Sequence, residues 1–178
     1  LSDYTGLNNF LQLNSKDGPI RKIVTDGQTT HVVQEMNTYP VYRGTYSTGA
    51  DGQQSQPAFT TNTFGDIGRA AGFGSKHTDS VRLIDGIVFL YDFFRGQVAV
   101  LTNNGQEYIS GGTFKFLNRI TSKTNAVRAD YDNYKIFAFV DELNKEYVLM
   151  FNNGVDIEGF TFNYEKKFWS HVVDYDLR

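Results

Sequence analysis

The sequence predicts an all-β chain of antiparallel hairpins, and three observations carry that expectation: its aromatic and glycine content, a recurring Arg-led segment, and the Asp- and Asn-containing turns that punctuate it. Of 178 residues, fifteen are Phe and eleven are Tyr, beside seventeen Gly and only three Pro. Aromatic and β-branched side chains suit a pleated, half-buried surface, and glycine supplies the turns between strands. A chain of this length buries roughly 70% of the surface its unfolded form exposes, so a core can form without covalent staples.

Three segments align with one another. They are IRKIVTDGQTTHVVQEMNTYPVYRG from Ile20 to Gly44, VRLIDGIVFLYDFFRGQVAVLTNNG from Val81 to Gly105, and VRADYDNYKIFAFVDELNKEYVLMFNNG from Val127 to Gly154. Each opens on a β-branched residue followed by Arg, then passes through a turn (Asp26-Gly27, Asp85-Gly86, Asp132-Asn133), an apolar strand, a second polar turn and another strand. Asp-Gly and Asn-Gly adopt positive φ at little cost, and between alternating strands they are a strong hairpin signal. The starts at Ile20, Val81 and Val127 lie 61 and 46 residues apart. The second interval matches a four-stranded propeller blade, about 40 to 50 residues. The expectation is therefore β-propeller-like blades, a partial propeller or a fragment of one, with short connecting helices. One such region spans 1–178, with approximate repeat units 17–75, 76–124 and 125–178, as part of a longer protein.

The remaining elements follow from local pattern. Ser47 to His77 is rich in Gly, Ser, Thr and Gln, and reads as a long surface excursion inserted in the first unit. In Gln97 to Leu101 and Tyr147 to Phe151 the apolar residues are nearly continuous, which predicts strands buried on both faces. Leu7, Phe10 and Leu11 share one face of a short helix, as do Phe114, Leu117 and Ile120, with Ser122 to Asn125 returning to loop chemistry. A final strand pair, Asp156 to Asn163 and Phe168 to Asp174, turns at Tyr164 to Lys167, and Trp169 is expected to pack between blades.

Composition excludes several functions. There is no cysteine, hence no disulfide framework, thiolate metal site or cysteine nucleophile. A formal charge of -3 offers no basic field for phosphates, so the sequence predicts protein partners and no nucleic-acid specificity. No apolar run reaches the roughly 18 residues of a membrane span. The Leu1 start leads to the expectation of an excised or processed piece of a longer product.

Each candidate for chemistry has a plainer structural reading. Gly68 to Lys76 superficially resembles a phosphate loop, but its order is Gly-Ser-Lys and it reads better as an interface loop. His31, His77 and His171 are the available imidazoles. His77, Asp79 and Ser80 crowd too closely in sequence to act as base, orienter and nucleophile held from separate elements. Carboxylate pairs for glycoside cleavage could come from Asp79 with Asp85 or Asp141 with Glu142, although turn propensity explains these residues equally well. Asp51 lacks the alternating ligand series of a calcium loop. The tail Asp174 to Arg178 reads as a solvated terminus or partner contact. No catalytic, cofactor-binding or metal-binding residue is expected.

Whole phrases of the chain carry a resemblance. PIRKIV, THVVQEMNTYPVYRGTY, FGDIGRAAGFGSKHTDSV, LIDGIVFLYDFFRGQVAVLTNNGQEYIS and FWSHVVDY, in that order, resemble the stabilisation or muzzle-type tail proteins of short-tailed bacteriophages, particularly the crAss-like group. The resemblance covers most of the chain. It implies a non-enzymatic virion tail component, a homo-oligomeric ring that contacts other tail proteins and stabilises or closes the portal and tail assembly. It implies no catalytic residues. The Gly-His opening and Trp-Asp closing of Trp-Asp repeat propellers are absent. A carbohydrate-binding or adhesin propeller, using Tyr, Trp169 and Asn at blade tips, is the alternative expectation, and a glycan-cleaving propeller the third.

Overall fold

A computed structural model describes residues 12–26, 29–45, 62–67, 71–102, 105–110 and 114–176. They form three four-stranded antiparallel sheets, each a meander of strands consecutive in the chain. Sheet 1 holds β1 (Ile20–Asp26), β2 (Thr29–Gln34), β3 (Thr38–Thr45) and β4 (Asn62–Ile67); sheet 2 holds β5 (Arg82–Ile84), β6 (Ile87–Asp92), β7 (Gln97–Thr102) and β8 (Gly105–Tyr108). One helix, α1 (Phe114–Ala129), precedes sheet 3, made of β9 (Lys135–Asp141), β10 (Glu146–Asn152), β11 (Asp156–Asn163) and β12 (Phe168–Asp176). The expected all-β, antiparallel class is what the chain adopts. The three sheets stack in series and do not close into a propeller.

Side-chain alternation explains the stacking. On β6, Val88 and Leu90 point to one face and Phe89 and Tyr91 to the other, and all four are buried. Val88 and Leu90 join Ala99 and Leu101 of β7 against Val33 of β2, which forms the seam between sheets 1 and 2. Phe89 and Tyr91 join Val98 and Val100 against Ala138, Tyr147, Leu149, Phe151, Phe160 and Phe162, the seam between sheets 2 and 3. The expectation that the central strands are buried on both faces thus holds. The first strands are also neighbours across the seams, β1 beside β5 and β5 beside β9.

The two-residue turn at Asp85-Gly86 joins β5 to β6 with φ of +48° and +75°, and Ile84 pairs with Ile87 across it. The final pair also forms as expected, turning at Tyr164 to Lys167. It continues to Asp176, whose backbone pairs with Asp156, so Asp174 to Asp176 extend the edge strand.

Two further expectations are overturned. The segment Ser122 to Asn125 is helical, and α1 runs unbroken for sixteen residues. Ile120, Thr124 and Val127 recur at helical spacing and are buried, and the Thr124 hydroxyl donates to the Ile120 carbonyl at 2.8 Å, one turn back. Packing and this local bond override the weak helix propensity of Ser, Thr and Asn. In consequence Val127-Arg128, aligned above with two strand starts, lies inside α1, and Asp132-Asn133 falls in the turn after α1 and not in a hairpin.

The Ser47 to His77 segment is also more than a surface excursion. Its residues 62–67 form β4, which pairs with β3 by backbone bonds and needs no aliphatic alternation to do so. Residues 71–77 thread beside sheet 1. Ala71 N and Ser75 N donate to Thr38 O at 2.8 Å and Gln34 O at 3.0 Å, while Ala71, Phe73 and Ser75 are buried. At Gly74 a Cβ would fall 2.3 Å from Gln34 O, so only glycine permits this approach. The helix expected near Leu7 to Leu11 and the remainder of the insertion lie outside the described residues.

Candidate functional site

The His77–Asp79–Ser80 trio builds a turn. Ser80 Oγ donates to the His77 carbonyl at 2.7 Å, and Ser75 Oγ donates to Tyr91 O at 2.8 Å. The hydroxyl of Ser80 is therefore engaged with the peptide carbonyl of His77, and Asp79 is exposed on the short helical turn Thr78–Ser80. The His77 ring packs on Phe93 at 5.3 Å and Tyr131 at 5.6 Å between centroids, and its Nε2 is buried without a partner. Burial, with the nearby charges of Lys76 and Arg21, holds it down to about 4. His31, also buried, is lowered by the same desolvation. The side chain of His171 lies outside the described residues, as do Asp51 and Gly68 to Ala70.

The carboxylate pairs do not converge. Asp79 and Asp85 sit at opposite ends of β5, on the order of 15 Å apart by strand geometry. Asp141 Oδ1 accepts from the backbone of Leu143 and Asn144, both at 3.0 Å, and its Oδ2 accepts from Asn144 Nδ2 at 2.8 Å. Those Asn144 bonds hold its carboxyl below the usual carboxylate range. Asp141 is thus a turn residue, and Glu142 is exposed beside it. The turn recurs: Asp92 Oδ1 accepts from Arg95 N at 3.1 Å and Asn163 Oδ1 from Lys166 N at 2.8 Å. Gly96, Lys145 and Lys167, each four residues after the Asx, adopt positive φ. Asx followed by Gly or Lys at that spacing was a legible signal that sequence reasoning missed. Among the described residues no cluster of three or more His, Asp or Glu is placed to hold a metal ion.

Two internal carboxylates serve packing. Asp92 is fully buried, with Arg95 Nη1 at 2.8 Å and the Tyr108 hydroxyl at 3.0 Å. Glu158 on β11 receives Arg119 Nε at 2.6 Å and Lys123 Nζ, which fastens α1 to sheet 3. Trp169 packs on Phe162 with the rings tilted and centroids 5.1 Å apart, and its Nε1 donates to Ile109 O just beyond β8 at 2.9 Å. It therefore spans the junction of sheets 2 and 3 and is not a free blade-tip ring.

The concave surface lies at the end of the sheets away from α1. An open cleft of about 780 Å³ is lined by Asp26 at the end of β1, Asp85 and Gly86 in the β5–β6 turn, Thr102, Gln106 and Glu107 around the β7–β8 turn, and Lys167. It continues into a smaller chamber of about 330 Å³ between sheets 2 and 3, walled by Ile87, Ile109, Tyr108 and Tyr164 over Phe89 and Phe162. Gly86 is favoured here by its φ of +75°, and a Cβ would also press on the Asp26 carboxylate at 2.8 Å. No side-chain bond engages Asp26, Asp85, Glu107 or Lys167 among the described residues. The Tyr164 hydroxyl is buried without a partner, and desolvation raises it. Sequence reasoning placed Asp26 and Asp85 in turns but had no means to bring them together. No known family model matches the chain, and no curated protein does.

Proposed function

We propose that the chain is a non-enzymatic structural module of a bacteriophage tail, in which blade-like sheets of a partial propeller stabilise the portal and tail assembly through multimeric contacts. One observation carries the structural part of this reading. Sheet 2 is covered on both faces, whereas the terminal sheets turn large apolar residues outward. On sheet 1, Ile20 and Ile23 are 52% and 58% exposed on the face opposite Val33; on sheet 3, Phe139 and Phe168 are 44% and 46% exposed on the face opposite Leu149 and Phe162. Large apolar residues turned outward on a terminal sheet are candidates for association surfaces. The adjacency of β1, β5 and β9 is the arrangement that inner strands of successive blades take about an axis. The tail assignment itself rests on the phrase-level resemblance of the sequence.

A heterologous contact between the two outward faces closes into a ring at a fixed rotation. Mass photometry and negative-stain microscopy of the purified chain test this. The expected result is a ring of copies, or co-assembly with other tail proteins, that Ile23→Glu or Phe139→Glu abolishes while circular dichroism stays unchanged. A chain that remains monomeric at every concentration, and whose assembly with tail proteins is indifferent to both substitutions, overturns the reading.

A further inference from the structure

We propose that the segment Ser75 to Val81 is an acid-sensitive latch, which fastens the three sheets at one junction and opens when the buried ring of His77 takes up a proton. The segment is bonded to every sheet. Ser75 N donates to Gln34 O of sheet 1 at 3.0 Å, and Lys22 of the same sheet reaches Val81 O at 2.9 Å. Sheet 2 accepts from the segment, Ser75 Oγ to Tyr91 O at 2.8 Å, and sheet 3 donates to it, the Tyr147 hydroxyl to Ser80 O at 2.8 Å. Ser80 Oγ and Ser80 N both close on the His77 carbonyl, at 2.7 and 3.0 Å, so the backbone that makes these bonds is pinned where His77 sits.

The ring is placed where it cannot carry charge cheaply. His77 is 9% exposed, lies edge-on to Phe93 and tilted against Tyr91 and Tyr131, and its Nε2 has no partner. The charges that act on this junction are cationic. Lys76 Nζ stands 4.4 Å from the centre of the Tyr131 ring and 5.5 Å from that of Phe93, Arg128 of α1 lies over Phe93 at 5.4 Å, and Arg21 comes from β1. The carboxylates of the neighbouring elements are committed or exposed: Asp92 is bound by Arg95 and Tyr108, Glu35 by Arg21 and Asp130 by Asn133, while Asp79 and Asp132 face water. The Tyr91 hydroxyl is bonded to Thr124. Phe93 and Tyr131, whose ring faces could offset a positive imidazole, already serve Lys76 and Arg128. A protonated His77 would therefore be one more buried cation without a counter-ion. Moving the ring to water relieves that cost and withdraws the aromatic wedge against which the Ser75 to Val81 backbone is set.

Amide hydrogen exchange and the titration of the His77 ring, both followed by NMR from about pH 7 to about pH 5, test the latch. The closed junction holds His77 down to about 4 and an open one returns it to the ordinary 6.5, so opening grows about twentyfold over that interval. Protection of the Ser75, Ser80 and Val81 amides, corrected for intrinsic exchange, is expected to fall by that factor. In His77→Phe the wedge stays aromatic and the fall is expected to vanish; in Lys76→Met, with one cation removed, it is expected to shrink. The amides of Leu149 and Phe160 report unfolding of the whole chain, and are expected to exchange more slowly and with a steeper dependence on denaturant. Three results overturn the proposal: a His77 ring that titrates in the native chain at its ordinary value, a fall in protection that survives in His77→Phe, or junction amides that exchange only together with Leu149 and Phe160. All are read on the unassembled chain, so they stand or fall apart from ring formation.

Discussion

The two seams of this molecule use the opposite faces of the same strands in different ways. Between sheets 1 and 2 the contact is mainly aliphatic, Val33, Val88, Leu90, Ala99 and Leu101, supplemented by Phe73 of the connector. Between sheets 2 and 3 it is aromatic, with Phe89 stacked on Tyr147 at 5.0 Å and Tyr91 and Phe160 each edge-on to Phe151 at 5.4 and 5.6 Å. The aliphatic seam is reinforced by Lys22, whose Nζ donates to Val81 O at 2.9 Å and is lowered by burial and by Arg82. The aromatic seam is capped by α1, through Glu158 and through a Tyr91–Thr124 hydroxyl bond. The aromatic seam thus carries a helix at one end and borders the cleft at the other.

Adjacent residues on β6 give the sharpest way to separate the seams. Phe89→Ala is expected to cost about 4 kcal/mol and to release protection of sheet 3 amides in hydrogen exchange first, whereas Leu90→Ala costs about 3 kcal/mol and releases sheet 1. Identical exchange patterns in the two variants would erase the distinction.

His77 belongs to both regions, with its backbone in the connector of the first seam and its ring among the aromatics of the second. Its folded value near 4 lies below the ordinary 6.5, so the unfolded chain binds the proton first. Stability is therefore complete above about pH 6.5, falls by roughly 3 kcal/mol as pH drops to about 4, and levels off below that. Denaturant unfolding across this window should show the slope in the native chain and a shallower one in His77→Leu.

Glu158→Ala is expected to cost about 2 kcal/mol, less than loss of a fully buried pair, because Arg119 is 51% exposed and can be hydrated. Thermal melts together with proteolysis near α1 would report it, and retention of α1 protection would show that apolar docking alone holds the lid. The smallest effect is Tyr147→Phe, about 1 kcal/mol, which removes the 2.8 Å bond to Ser80 O and leaves the stacking intact.

Much of the fold was legible because it is written at short range. The nearly continuous apolar run in Gln97 to Leu101 specified a strand covered on both sides, and Asp85-Gly86 specified a turn of the same sheet. The Asn163 to Phe168 reversal was legible in the same way. The full length of α1 was not, since Ser122 to Asn125 has loop-like propensities and is helical only because Ile120, Thr124 and Val127 dock on sheets 2 and 3. Nor was β4, which has no apolar alternation to announce it and is recruited by the open edge of β3.

The candidate cleft marks the same boundary. Asp26, Asp85, Glu107 and Lys167 were visible as separate turn and strand residues, with nothing in their neighbourhoods to relate them. Strand identity, turn position and buried face depend on a few consecutive residues, so the amino-acid sequence by itself determined them. Which faces meet, whether a polar segment stays helical and which turn residues share a cleft depend on contacts between residues far apart in the chain, and only the stacking of the three sheets decided those.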